Sequence, residues 1–459
     1  MINIDAVKKH ILILALKGKL TKQESEDGDG KDFLLRIKKE KEKLKAEGSI
    51  RNKKNLSFNV EEIAFDIPDT WTWCFIEDVS FPIGNKNNQV QTNQILSFGE
   101  YPVVSQGKSF IDGYTDDKNK LITDVPLVLF GDHTKIVKYI DFNFVVGADG
   151  TKLFKPVLID PKFFYYQVLY GSKSIYALGY ARHYSLLKKT PLPLPPLSEQ
   201  KRIVSVLDCI FEELDKIEAN QNKLSLIEEK FESKLVELAL KGMLTEQSEV
   251  EKVDDLFAAI QKERQQLIIA KKAKSYVEGP VELDNIPFDI PANWKWVYLG
   301  SLFNHNAGKA LNNSNTEGKL LEYITTSNVY ADRFELDNLK KMPFKESEIE
   351  KCTIKKGDLL VLEGGDIGRA AIWDKDFEMR IQNHIHKLRP FSTLEVKFYY
   401  YLLNYYRNKG LINGNGIGLQ GFSSNRLHYL VVPLPPLEEQ KRIVSKLEEM
   451  ITLSKKVAL

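Results

Sequence analysis

Cysteine is scarce in this sequence. Cys74, Cys209 and Cys352 stand far apart without metal-ligand spacing, and their odd number argues against a disulfide framework. Long apolar runs are missing as well, and no stretch approaches the roughly 18–20 residues of a membrane span. The amino-terminal MINIDAVKKHILILALKGKL carries Asp5, Lys8, Lys9 and His10 and lacks a small-residue cleavage site. It therefore reads as an amphipathic helix and not as a signal sequence, and a cytoplasmic location without membrane attachment is expected. Nor is there a surplus of one charge: 65 Lys and Arg against 63 Asp and Glu leave a formal +2. That balance excludes little, because a local basic surface can sit inside a nearly neutral total.

Catalytic signatures are also missing. GGDIGRA at 364–370 is glycine-rich, but without the GK[ST] ending of a phosphate loop or dinucleotide-fingerprint spacing it reads as a turn between strands. His384 and His386 have no Cys, Asp or third His at ligand spacing, so no metal is expected, and strand alternation would account for the pair. Asp358, Glu363 and Asp366 resemble a nuclease cluster only loosely. No HExxH or GxSxG occurs.

What is present is a duplication. PLPPLSEQKRIVSVL at 193–207 returns as PLPPLEEQKRIVSKL at 433–447, with two of fifteen positions changed. Prolines stiffen the approach and disfavour helix just before them, and an apolar period of three to four residues then opens a helix. Pro193, Pro195, Pro196, Glu199, Gln200 and Arg202 thus recur as Pro433, Pro435, Pro436, Glu439, Gln440 and Arg442, expected to serve as structural junctions and in partner docking. Other echoes are ALKGKLT at 15–21 with ALKGMLT at 239–245, and IKKEKEKL at 37–44 with IQKERQQL at 260–267. Gly18 and Gly242 sit where a helix can end. Helix-like spacing places Val7, Ile11 and Leu14 on one face, and Phe231, Leu235 and Leu238 on its counterpart. IAFDIPDTWTW at 63–73 matches IPFDIPANWKW at 286–296, and Trp71, Trp73, Trp294 and Trp296 read as core anchors at a domain entry.

From about residue 66 to 190, and again from 289 to 431, short β-prone runs broken by Gly, Asn and Asp replace the helical period, the pattern of a mixed or antiparallel sheet. Each region ends in an aromatic segment of helical character, KFFYYQVLY at 162–170 and KFYYYLLNYY at 397–406. Between the regions, Ile203, Leu207, Ile210, Leu214, Ile217, Gln221, Leu224, Glu228, Phe231, Leu235 and Leu238 keep a heptad register. A helix of about 40 residues reaches roughly 60 Å. The two chain ends add up to most of one further copy of this helical region, so both are expected to pack against it.

The expected fold class is α+β: two similar mixed α/β domains separated by long antiparallel coiled-coil helices, a pseudo-twofold and circularly permuted repeat. Its expected domains are 1–48 (helical), 58–192 (first globular), 193–278 (helical spacer), 281–432 (second globular) and 433–459 (helical). Loops that differ between duplicated scaffolds suggest one binding task on two targets. Candidate DNA contacts are Lys86, Lys108, Lys135, Arg182 and His183 in the first domain. In the second they are Lys309, Arg333, Arg369, Arg380, His384, Arg407, Lys409 and Arg426. Such side chains neutralise phosphates or read base edges. A self-sufficient nuclease or methyltransferase, and a coiled-coil adaptor binding peptide or glycan, are the competing classes.

The repeated PLPPLxEQKRIV segments, the LALKGxLT segments and the IPxxWxW entries together resemble the specificity (S) subunits, HsdS, of Type I restriction–modification systems, over essentially the whole chain. The resemblance implies a non-catalytic subunit with two target recognition domains, each reading half of an asymmetric bipartite double-stranded DNA sequence. It also implies that the helices set the gap and recruit two modification subunits, with restriction subunits joining. S-adenosylmethionine, ATP and Mg²⁺ would belong to those partners, with no cofactor in this chain.

Overall fold

A glycine closes the first helix of each half. α1 (Ile4–Leu16) starts at Asn3, whose side chain accepts from the Ala6 amide, and ends at Gly18 with φ 68°. Lys19 N–H returns to Leu14 O, and in the long helix α6 (Leu197–Leu240) Met243 N–H returns to Leu238 O beside Gly242, φ 67°. A Cβ on either glycine would lie 2.4 Å from a proline Cγ, of Pro68 or Pro291. Both left-handed backbone and close approach thus demand glycine here.

The computed structural model describes residues 2–48, 65–84, 86–147, 150–175, 182–248, 250–282, 286–311, 317–412 and 423–457. It divides into Met1–Gln221 and Asn222–Leu459. Each unit is a mixed α/β body with helical segments. In unit 1, α2 (Gly30–Ala46) is followed by β1 (Thr72–Cys74), α3 (Ile76–Val79), β2 (Ser80–Ile83), β3 (Tyr101–Val104), β4 (Gly113–Thr115), β5 (Leu127–Gly131), β6 (Val137–Ile140), β7 (Val145–Val146) and β8 (Thr151–Pro156). The aromatic segment is α4 (Pro161–Ser174), and α5 (Tyr184–Leu187) and β9 (Leu192–Leu194) lead into α6. Unit 2 repeats the plan after α7 (Val253–Ile269): β10 (Lys295–Tyr298), α8 (Leu299–Leu302), β11 (Phe303–Ala307), β12 (Lys319–Ile324), β13 (Lys340–Phe344), α9 (Glu346–Cys352), β14 (Thr353–Ile354), β15 (Leu359–Leu362), β16 (Ala370–Ile372), β17 (Met379–Ile381) and β18 (Ile385–Pro390). α10 (Val396–Asn408), α11 (Ser424–His428), β19 (Val431–Leu434) and α12 (Leu437–Val457) complete it.

The sheets correspond except for β14, an added edge strand of unit 2. Unit 1 has β2-β8-β5-β6 and β4-β3-β7; unit 2 has β11-β18-β15-β16 and β13-β12-β17-β14. All pairings are antiparallel except β3 with β7 and β12 with β17, which are parallel in both units. A third, two-stranded ladder joins each domain's entry to its exit: Trp73 faces Pro193, and Trp296 faces Pro433. Proline fits this place because a two-stranded ladder has open edges where its missing N–H leaves no gap.

The cores follow. Trp71 and Trp294 are buried, whereas Trp73 and Trp296 are half-buried and pack on Phe65 and Phe288, each at 5.2 Å between ring centroids. α4 buries Phe163, Phe164, Tyr166 and Val168, and α10 buries Phe398, Tyr399, Leu402, Leu403 and Tyr406. The first helix has a different inner face from the expected one: Ile4, Leu12, Ala15 and Leu16 are buried, while Val7, Ile11 and Leu14 are only partly covered. The heptad stripe of α6 is buried at Ile203, Leu207, Leu214 and Leu235. Ile217, Leu224 and Phe231 are 40%, 39% and 42% exposed. The cause is reach. In unit 1, Lys8 of α1 pairs with Asp215 and Glu218; in unit 2, Lys455 of α12 pairs with Glu232 at 3.5 Å, near the helix's far end.

Candidate nucleic-acid interface and its mounts

The EQKR segments are spent inside the protein. Glu199 is fully buried and accepts from Thr21 Oγ1 (2.9 Å), Gln23 Nε2 (2.7 Å) and the Trp71 indole N–H (2.7 Å). Gln200 donates to Pro195 O (2.8 Å) and accepts from the Asp160 amide at the start of α4 (2.9 Å). Arg202 grips Asp27 in a bidentate pair and holds its carboxyl below the usual range, against the opposing effect of burial. Unit 2 repeats every link but one. Glu439 accepts from Thr245 and Gln247, Gln440 joins Pro435 O to the Glu395 amide, and Arg442 grips Glu251. The one substitution in the pattern is Trp294, whose indole N–H reaches Gln247 Oε1 at 3.2 Å. Burial pushes the Glu439 carboxyl above its ordinary value, against these hydrogen bonds. Glu199, Gln200, Glu439 and Gln440 are therefore closed off from solvent, leaving the exposed Lys201 and Lys441 and the partly exposed arginines at the surface.

In unit 1, four loops knit together beyond the ends of β3, β5 and β7. Residues 105–112 are held by Lys138 of β6, 4% exposed, whose ammonium donates to Ser105 O (2.7 Å), Ser109 O (2.5 Å) and Phe110 O (3.5 Å). Burial lowers the pKa of this lysine. Gln106 accepts from the His133 amide (3.2 Å), and its carbonyl accepts from Thr134 Oγ1 (2.8 Å). Asp132 then ties in Gly150 and the His183 and Tyr184 amides. This cluster gathers Lys108, Lys135, Arg182 and His183. Lys108 and Arg182 are exposed. Lys135 is half-buried on Ile175 O (3.3 Å), and the side chain of Lys86 lies outside the described residues. His183 corrects the expectation: at 2% exposure, with Nδ1 2.9 Å from Asp132 O, it braces the loop and cannot reach a base or phosphate.

Unit 2 has the corresponding cluster with different side chains. Lys309 N–H bonds Ile381 O, Asn383 N–H bonds Lys309 O, and Glu363 N–H bonds His384 O, which joins the loops after β11, β15 and β17. His384 is exposed in the turn before β18, whereas His386 is buried within that strand, so alternation does not unite them. Lys309 is a second correction: its side chain is 8% exposed, clamped between Pro343 O and Glu348. Arg369 and Arg407 both close on Asp366. Arg333 is exposed and lies over the Tyr330 ring at 4.2 Å; Lys409 is exposed over Tyr405 at 5.6 Å. Arg380 is half-buried against Glu378 O, and Arg426 is exposed on α11.

Sequence reading missed Lys138, although a lysine at an inward position of the alternating VKYI strand was the available signal. GGDIGRA is the turn between β15 and β16, as expected. Among the described residues, no His, Cys, Asp or Glu group is arranged to hold a metal, and no helix is long and apolar enough to cross a membrane.

Residues 68–228 and 291–457 match the Type I restriction modification DNA specificity domain. The Escherichia coli EcoAI specificity subunit of a Type I restriction enzyme is 23% identical over 99% of this chain and 90% of its own length. The EcoEI specificity subunit of the same organism is 22% identical over 97% and 89%. A solved chain from work on complex assembly and conformational transition of the type I R-M system superposes with a TM-score of 0.55, at 18% identity, over 86% of this chain and 93% of its own. With both repeats inside the family's domain, this chain belongs to the HsdS family of Type I restriction–modification DNA-specificity subunits.

Proposed function

We propose that each unit reads one half of an asymmetric, bipartite double-stranded DNA target through its loop cluster. The observation that carries this reading is the strand order the two units share, β14 alone being extra in the second, combined with unlike loop chemistry: Gln106, Lys108 and Arg182 in one, Thr326, Arg333 and His384 in the other. A protein using identical readers would see a symmetric site, so unlike readers predict unlike half-sites. The proposed domain limits are those of the sequence reading, 58–192 and 281–432. α6 with α1 and α12 forms the antiparallel coiled-coil spacer of a pseudo-twofold, circularly permuted chain, sets the gap, and docks two modification subunits, with restriction subunits joining. The chain itself is cytoplasmic and non-catalytic; S-adenosylmethionine, ATP and Mg²⁺ act on the partners. Among the candidate contacts, the exposed Lys108, Arg182, Arg333, His384, Lys409 and Arg426 carry the reading most directly. Mapping methylated bases in DNA from cells carrying this chain and its modification subunit tests the proposal. Two separated half-motifs of different sequence are expected, and one contiguous motif would refute it.

A further inference from the structure

Asp366 holds two arginines where one would fix a turn. Its Oδ2 accepts from Arg369 Nε (2.9 Å), Arg369 Nη2 (2.6 Å) and Arg407 Nη2 (2.6 Å), and its Oδ1 from Arg407 Nε (2.7 Å). Two guanidinium forks converging on one small anion make the arrangement that binds a phosphate. One carboxylate leaves that pair of cations with a net positive charge.

Resting on the DNA-reading function proposed above, we propose that Arg369 and Arg407 form a phosphodiester-binding site of unit 2, which Asp366 occupies in the free protein.

Three features support this assignment. The site is open: the Asp366, Arg369 and Arg407 side chains are 30%, 23% and 32% exposed. Each arginine has a support besides Asp366. Arg369 Nη1 donates to Val329 O (2.9 Å) and its guanidinium lies over the Tyr330 ring at 5.5 Å, while Arg407 Nη1 donates to Asn408 Oδ1 (3.3 Å). The pair therefore stays aimed when the carboxylate leaves. Asp366 itself rides on a turn between Gly365 (φ 75°) and Gly368 (φ 79°), and ideal Cβ positions on Gly364 and Gly365 would fall 3.7 Å from His384 and 3.8 Å from Thr326 Oγ1. The site thus borders the exposed loop residues of the cluster. Burial works against ionisation of Asp366, but the two guanidiniums outweigh it and keep its carboxyl below the usual range, so the occupant is charged at neutral pH. A duplex must displace it, and random sequence, which offers phosphate without compensating base contacts, is penalised most.

The test uses the full chain, a labelled random-sequence duplex and a salt titration. Asp366→Asn should bind several-fold tighter at low salt, with the slope of log K against log salt steeper by about 0.9, one further phosphate's worth. Arg407→Gln in the Asp366→Asn background should remove that gain. An unchanged slope in folded Asp366→Asn, or a gain that survives loss of Arg407, would overturn the assignment. If Asp366→Asn shows no cooperative melting, Arg407→Gln decides on the cognate duplex identified by methylated-base mapping, whose base contacts offset displacement of Asp366: a slope shallower by about 0.9 is expected, and a wild-type slope refutes. Failure of the wild-type chain to bind duplex even with its modification subunit would instead sink the DNA-reading function and this site with it.

Discussion

A buried ammonium surrounded by carbonyls raises its own desolvation cost, and the structure recovers it only by holding something in place. Lys138 holds the 105–112 loop by three carbonyls. Lys138→Met should leave those carbonyls without a donor and destabilise the loop by about 1–3 kcal/mol. Discrimination at the first half-site should then relax while the second stays sharp, which methylated-base mapping reads directly; equal loss at both would contradict a local role. Glu199→Ala removes the acceptor of three donors at once, the Trp71 indole among them. Denaturant unfolding of unit 1 should weaken by about 2–4 kcal/mol. At this scale the sequence was legible where pattern repeats: Glu199, Gln200 and Arg202 were singled out because Glu439, Gln440 and Arg442 echo them. It was not legible where a charged side chain turns inward. His183 and Lys309 look like surface cations in one dimension and are braces in three.

Elements are fixed by fewer residues than they contain. At Gly242, alanine would need φ 67° and would place Cβ 2.4 Å from Pro291. Gly242→Ala should therefore cost unit 2 about 1–3 kcal/mol, measured as a lower melting temperature. A second device ties α7, α8 and α11 together through Glu278, which accepts from Arg264 in a bidentate pair and from Ser301 and lies 2.8 Å from the His428 ring. Burial opposes its ionisation, yet these partners bring its pKa down to about 2 from 4.5. A carboxyl depressed in the folded state binds fewer protons there than when unfolded. Its stabilisation is therefore present above pH 4.5 and lost as pH falls toward about 2. Acid unfolding of Glu278→Gln should be flatter than wild type across that window, by about 2 kcal/mol, and parallel curves would contradict the linkage. Helices and strands were legible from period and punctuation, and the aromatic segments are the helices α4 and α10. The inner face of α1 was not, since Leu12 and Leu16 are chosen by what packs on them and not by spacing alone.

For the molecule as a whole, the proposed division of labour makes two separable predictions. Replacing 289–431 by the matching region of another family member should change one half-site and leave the other intact. Inserting one heptad into α6 should lengthen the gap by roughly three base pairs, since seven residues rise about 10 Å. Methylated-base mapping distinguishes the two outcomes, and a heptad insertion that altered a half-site sequence would break the model. The pairing of β1 with β9 and of β10 with β19 carries a consequence for heredity. Each domain leaves the chain through a strand lying about 4.8 Å from the strand by which it entered. Part of each strand of that ladder, including the Trp73–Pro193 and Trp296–Pro433 pairs, lies in segments that the two halves of the sequence share, DIPxxWxW on one side and PLPPL on the other. A crossover within those segments would keep the tryptophan–proline pairs of the ladder whatever interior it imports, so a domain could be exchanged without losing the shared part of its mount.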